Sequence, residues 1–475
     1  MSTPLVGPRE KPCPAGAIRI GVGDAVAAVA AASPPGTIFC IAAGIHRGES
    51  IAPKDGQRFF GEPGAVLSGA KPLGPFRAVG GQWVADAFVI EQNRRGVCLP
   101  EKPNCDHLEQ VFLDGEPMEQ ASSTDRLRSG YFFFDRAGGS IVLSDDPTGR
   151  SIEMTAATHA FLANRASNVV VENLTIEKYA NPAQEGAVYH DADPLATGWS
   201  IIHNTIRSNS GLGVLAGPQS RVAGNLVSDN GQLGISLSSF DISIEGNEIA
   251  RNNWRGYDPA WEGGGLKGAQ TRNATIRGNF VHDNRGPGLW CDIGCSGTLY
   301  EANRVENNDG AGIFHEISYD AIVRGNLLRG NGVRAGNWYW GANILIAASR
   351  DVVVADNVIK VRPDGTGIAL IDQGRERDSG GFYETRRNTI TGNLVRFEGA
   401  FGRMGGVSDV HPGEMNEGII ETGDNLYRSN SYSVPRGGRI LFGWGDGEYD
   451  FAGFQRLGQD RGTTLTVNAV PAAGD

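Results

Sequence analysis

Apolar residues in this chain recur in short paired blocks and not in long runs. Ile202-His203-Asn204-Thr205-Ile206, Val222-Ala223-Gly224-Asn225-Leu226-Val227, Ile244-Glu245-Gly246-Asn247-Glu248-Ile249, Ile276-Arg277-Gly278-Asn279-Phe280-Val281, Tyr300-Glu301-Ala302-Asn303-Arg304-Val305 and Ile322-Val323-Arg324-Gly325-Asn326-Leu327-Leu328 align as apolar, polar, x, Asn, x, apolar. The unit returns every twenty-odd residues, and a second apolar strand follows each one after a polar turn such as Ser228-Asp229-Asn230-Gly231. Short alternating strands, Gly and Asn turns and a fixed period of this size predict a solenoid of β-coils. No stretch shows sustained helical periodicity. The Asn at the same place in each coil is expected to stack into an internal ladder that satisfies turn backbone groups, a structural and not a catalytic role.

This repeat resembles the right-handed parallel β-helix of the pectate-lyase-like superfamily, clearly from about 169 to 395 and more weakly back to 18. The expected fold class is therefore all-β, a right-handed parallel β-helix solenoid with a small inserted β-subdomain. Residues 1–74 read as an N-terminal cap and first coils, with a short amphipathic helix at 25–32 over the open end, because an uncapped coil exposes strand edges. Residues 75–154 lose the repeat and carry hairpin-like runs at 111–116 and at 131–135 with 141–143, so they read as the insertion. Residues 155–430 form the main coil with the active-site face, and 431–475 a cap or external strap. Longer turns at 181–195, 254–264, 333–341 and 372–385 are where a solenoid builds a binding surface.

Composition narrows the partner. Gly makes up 68 of 475 residues, as coils rich in positive-φ turns require. With 43 basic and 54 acidic residues the net charge is −11, which disfavours nucleic acid or an anionic membrane surface as the main partner. A neutral carbohydrate suits that charge; a polyanion needs a cation or local Lys and Arg residues. The six cysteines fall into the pairs Cys98 with Cys105, Cys291 with Cys295 and, by elimination, Cys13 with Cys40. Such pairs point to disulfides and a secreted or periplasmic protein, against the reading of buried free thiols. There is no Cys-x-x-Cys metal motif and no apolar run long enough to cross a bilayer. Residues 1–13 are polar, so for an exported protein the signal peptide is expected to be absent from this chain.

Two segments carry the candidate chemistry. Gly288-Leu289-Trp290-Cys291-Asp292 and Gly312-Ile313-Phe314-His315-Glu316 share the order small, aliphatic, aromatic, any, acid, and each begins at the same point of the repeat. Strand alternation turns Leu266, Leu289 and Ile313 inward and Lys267, Trp290 and Phe314 outward, with Asp292 and Glu316 outward two positions later. Adjacent strands lie ~4.8 Å apart, close to the about 5 to 5.5 Å between the two carboxyl groups of retaining glycosidases. Two close acids also push their pKa values apart, leaving one ionised as nucleophile and one protonated as acid. Trp254, Tyr257, Trp261 and Glu262 in the turn before Lys267, Trp290 itself, and Trp338 and Trp340 in the turn beyond Glu316 are the expected sugar-binding residues. His315 joins them as a neighbour of Glu316, although its strand position turns it inward, where histidine is more often a core residue.

The two segments resemble the site of the β-helical β-xylosidases, which carry an inserted β-sandwich in a right-handed β-helix. That family places a catalytic Asp in Gly-Ile-Trp-x-Asp and a catalytic Glu in Leu-Phe-x-Glu one coil later. The resemblance implies that Asp292 is the nucleophile and Glu316 the general acid/base of a retaining glycoside hydrolase that needs no organic cofactor. His315, the following Ile317-Ser318-Tyr319 and the Cys291/Cys295 pair depart from the pattern, so substrate identity does not transfer. Two alternatives stay open. Lys267 could be the Brønsted base of a polysaccharide lyase or uronan epimerase, with Asp258, Glu262, Asp292 and Glu316 holding Ca²⁺ through hard oxygen ligands, or it could only tune Asp292. The segment from Asp258 to Glu262 resembles the Asp-Pro-His-Glu segment of alginate epimerases, with Ala260 in place of the His. The chain could also be a glycan-binding β-helix without chemistry, although a binder has little need for two desolvated carboxylates amid aromatics.

Overall fold

The computed structural model describes residues 3–88, 90, 93–336, 338–410 and 418–468, so the last part of the expected C-terminal cap lies outside the described residues. The chain packs into two compact units. The first holds Val6–Ser236 with Asn252–Gly263, and the second holds Leu237–Arg251 and everything from Gly264 onward, with a short N-terminal stretch up to Leu5.

The second unit is a parallel β-helix whose rungs each present three short strands. On the first face Ile244, Ile276, Tyr300, Val323, Val354, Ile390 and Tyr427 lie directly over one another, and all are fully buried. Ile249, Val281, Val305, Leu328, Ile359 and Val395 form the matching stack on the second face. Leu266, Leu289, Ile313, Ile344 and Ile368 form it on the third. One inward residue per strand thus fills the coil, which is what a three-residue strand with period two can supply.

The corner between the first two faces explains the Asn motif. The residue before each ladder Asn has positive φ, at 64° for Gly278, 54° for Ala302 and 61° for Gly325, so the chain turns sharply and leaves backbone groups facing inward. The next Asn side chain satisfies them: Asn303 Oδ1 accepts from the backbone N–H and the side-chain Nδ2 of Asn279 at 3.0 Å. Asn303 Nδ2 in turn donates to the Ile276 carbonyl at 2.8 Å and to Asn326 Oδ1 at 3.0 Å. The ladder runs on through Asn357, Asn393 and Asn430 and ends on Asp460. A short helix at Phe451–Arg456 then buries Phe454 against Phe442 and Tyr427.

The first unit repeats this construction from Ile18–Ile20, with Phe39, Phe59, Val171, Ile201 and Val222 stacked, and with Asn204 bonded to Asn225. Its helix at Val26–Ala32 buries Val26 and Ala30. Between coil strands Ala65–Ser68 and Phe161–Leu162 the chain leaves the helix and builds two small sheets. Tyr131–Asp135 pairs antiparallel with Ser140–Leu143, and Val111–Leu113 pairs with Glu116–Pro117. Cys13–Cys40, Cys98–Cys105 and Cys291–Cys295 are disulfide-bonded.

Candidate active site

Five parallel strands of the third face position the site: β1 (Gly264–Arg272), β2 (Leu289–Asp292), β3 (Ile313–Glu316), β4 (Ala342–Ala347) and β5 (Thr366–Asp372). Lys267 lies over Trp290, Trp290 over Phe314 and Phe314 over Leu345, on the side of the sheet that faces away from the coil interior, and all four are buried. Cys291 pairs with His315 one position later, facing the core. Asp292 and Glu316 end their strands one residue further on, outward again on neighbouring rungs.

Each acid is held differently. Asp292 Oδ2 lies 3.1 Å from Lys267 Nζ, and the same ammonium sits 4.0 Å from the centroid of the Trp290 ring. The Cys291–Cys295 bridge closes the turn directly after Asp292, with both cysteines buried. Glu316 is only 7% exposed. Burial first, and the Asp292 charge second, push its carboxyl above the ordinary range. Gln373 Nε2 donates to Glu316 Oε1 at 3.1 Å and Arg375 Nη1 stands 3.7 Å from it, both favouring the anion without outweighing burial. The buried indole N–H of Trp290 faces Glu316 without reaching hydrogen-bond geometry. One acid is therefore ion-paired and its neighbour is disposed to hold a proton.

The aromatic candidates separate into two groups. Trp290 stacks on Phe314 with ring centroids 5.5 Å apart, and both are buried in an apolar cluster with Tyr339, Leu345 and Ala347. They form the floor beside the acids and not an open platform. Trp340 meets Phe314 edge-on at 6.3 Å, and Trp338, 36% exposed, leans on Trp340. Trp254, Tyr257, Trp261 and Glu262 belong to the first unit. Tyr257 is buried there against Trp261 and the Cys98–Cys105 bridge, and burial pushes its hydroxyl up to about 12. Glu262 accepts a hydrogen bond from Gln184. Tyr257 is a packing residue, which a turn's amino-acid content does not distinguish from a sugar platform.

His315 is fully buried, its Nδ1 3.3 Å from the Tyr300 hydroxyl, and burial holds its pKa down at about 3. It is a neutral core residue and is placed away from any substrate surface. Gln373 and Arg375 were not singled out from the sequence; the only signal was that the turn after β5 is long. Asp372, at the end of β5, is 0% exposed, and burial pushes it up to about 7 against the backbone N–H groups of Thr385 and Gln373 that favour its anion. Among the described residues no group of three or more His, Cys, Asp or Glu is arranged to hold a metal ion.

A family model described as a right handed beta helix region matches residues 187–347, which gives the hand of the coil. No curated protein matches the chain. The solved structure of XylC in complex with xylose is similar over 93% of this chain and 82% of its own, at 13% identity and a TM-score of 0.66. The A-module of the Azotobacter vinelandii mannuronan C-5 epimerase AlgE4 is similar over 96% of this chain and 98% of its own, at 12% identity and a TM-score of 0.51. At these identities the likeness establishes the fold, a right-handed parallel β-helix.

Proposed function

We propose that this chain is a secreted or periplasmic carbohydrate-active enzyme, a retaining glycoside hydrolase with Asp292 as nucleophile and Glu316 as general acid/base. One observation carries the reading: two outward carboxylates on adjacent rungs, one ion-paired to Lys267 and the other pushed up by burial and by its neighbour's charge. That is the division of labour that double displacement needs. The Asp292 carboxylate attacks the anomeric carbon while Glu316 gives its proton to the departing glycosidic oxygen, leaving a glycosyl ester on Asp292. Glu316, now anionic, takes a proton from water as that water attacks the same carbon, and the ester bond breaks to restore both acids. Supporting the substrate class, the fold is shared with XylC, solved with xylose, and with a mannuronan epimerase. The disulfides support an oxidising compartment.

Kinetics of two variants test the roles. Asp292→Ala should abolish turnover, and azide should restore it with a glycosyl azide of inverted configuration, since the small anion occupies the vacated volume. Glu316→Ala should slow poor leaving groups by about 10² to 10⁴ and barely affect activated aryl glycosides. The outward placement of Lys267 on the strand beside the acids supports a second reading, proton abstraction by lysine followed by elimination, which requires the ammonium first to lose its proton against the hold of the Asp292 ion pair. Loss of all activity in Lys267→Met, with unsaturated uronate products and activity retained in both acid variants, would establish that chemistry instead.

A further inference from the structure

The turn after β5 folds back on itself within the second unit. Residues 375–377 and 381–383 form an antiparallel hairpin: Tyr383 donates its backbone N–H to the Arg375 carbonyl and Arg377 to the Gly381 carbonyl, each at 2.8 Å, and Glu376 sits opposite Phe382. Side chains alternate across such a pair, so Arg375, Arg377 and Tyr383 share one face and Glu376 and Phe382 the other. The contacts agree. Arg377 lies 5.1 Å over the Tyr383 ring, Tyr383 stacks on Tyr319 with centroids 6.4 Å apart, and Arg375 Nη1 stands 3.7 Å from Glu316 Oε1. The hairpin therefore turns its basic face to the carboxylate site and Glu376 away from it.

Charge on this side of the site does not cancel. Lys267 is paired with Asp292, and Arg386 with Glu384 at 2.9 Å. Asp351 holds the Arg387 guanidinium at 2.6 and 2.7 Å and stands 3.7 Å from Arg350. Among the described residues, Arg377 has no carboxylate within ion-pair distance, Arg375 has only Glu316, and Asp378 in the hairpin's turn pairs with neither. On the catalytic reading, on which this inference rests, Glu316 carries a proton when substrate binds. Arg375 then loses its one anionic neighbour, and two guanidinium groups, one half-buried and one exposed, stand uncompensated in a chain of net charge −11. A neutral sugar leaves that surplus unanswered. A sugar bearing an anion answers it, because a carboxylate or sulfate accepts hydrogen bonds from the guanidinium fork. The Tyr383 ring already orients Arg377, which reduces the side-chain freedom lost on binding.

We propose that the site takes an acidic sugar, with a carboxylate or sulfate ester held by Arg377 together with Arg375 next to Glu316, so that the two arginines set substrate specificity. Titration calorimetry in EDTA on the full chain carrying Glu316→Gln, which keeps that side chain neutral, reads binding apart from turnover. The probes are trigalacturonate and trimannuronate, the methyl esters of each, and 6-sulfated galactotriose with unsulfated galactotriose. At least one acidic trisaccharide should bind about tenfold more tightly than its neutral form, the size of one charge-assisted hydrogen bond. Arg377→Met should remove that preference, Arg375→Met weaken it and Arg377→Lys keep part of it, while all three bind the neutral form as the parent does, which also shows that they fold. Preference among the uronates or for the sulfated sugar identifies the anion. Equal binding of acidic and neutral forms, no binding of any acidic trisaccharide, a preference that survives Arg377→Met, or binding that requires Ca²⁺ in place of EDTA would overturn the proposal. The catalytic assignment fails by a different result, turnover that persists in Asp292→Ala, so the loss of one is distinguishable from the loss of the other.

Discussion

Two opposed sets of contacts act on the Glu316 carboxyl, and the set that favours the anion is accessible to mutation. Gln373 and Arg375 both act against burial. Removing either takes away stabilisation of the carboxylate, so Gln373→Ala and Arg375→Met should each move the alkaline limb of the pH profile of kcat/KM upward, never downward. A downward shift in both variants would mean that the limb belongs to another group. Asp372 makes a separate prediction about stability. Its folded-state pKa of about 7 lies above the ordinary value of 3.8, so the folded chain binds the proton more tightly than the unfolded one. That contribution is fully present below the ordinary pKa, and is lost as pH rises to about 7; across the window it amounts to on the order of 4 kcal/mol. Asp372→Asn should flatten the stability curve between those limits and melt at a higher temperature than the parent at pH 8, read by thermal unfolding across pH.

At the scale of the strand and its turn, the ladder was legible and the long turns were not. A period of apolar residues specifies which side chain enters the coil, and Gly before Asn admits the left-handed corner that Ala302 is also held in, so the stack through Tyr300 follows from local pattern alone. Nothing periodic constrains where a long turn folds. Trp254, Tyr257 and Trp261 read as sugar platforms for that reason, whereas Tyr257 packs on the Cys98–Cys105 bridge. Gln373 was invisible for the same reason in reverse, because its polar side chain resembles any solvated turn until the fold sets it on Glu316. The ladder carries its own test. Asn303→Ala strands the Asn279 backbone N–H and the Ile276 carbonyl in the core, and should cost on the order of 3 kcal/mol. Urea unfolding should show the loss as a lowered midpoint at unchanged slope. A change within about 0.5 kcal/mol, the size of an ordinary surface substitution, would mean that the ladder reports the fold without stabilising it.

For the whole molecule, the sequence conveyed the architecture because a β-helix is built from nearest-neighbour rungs, and each rung's residues are close together in the chain. The paired acids were readable for the same reason, being equivalent positions of adjacent rungs. The disulfides are different in kind: close spacing along the chain identified Cys98–Cys105 and Cys291–Cys295, and elimination left Cys13 with Cys40. Cys13 and Cys40 are 27 residues apart, against 7 for Cys98 and Cys105 and 4 for Cys291 and Cys295. If a bridge stabilises by restricting the unfolded chain, its effect grows with the loop it closes, to about 3.5 kcal/mol for the longest and nearer 2 for the shorter two. The double variant Cys13→Ala with Cys40→Ala should therefore lose the most stability of the three paired deletions in guanidinium unfolding, while turnover at low temperature persists. Removal of Cys291–Cys295 should invert that balance, with a smaller loss of stability and a larger loss of kcat, because its turn fixes the backbone directly behind Asp292. Equal effects of all three deletions on stability and turnover would contradict both the chain-entropy argument and the placement of Asp292 in the chemistry.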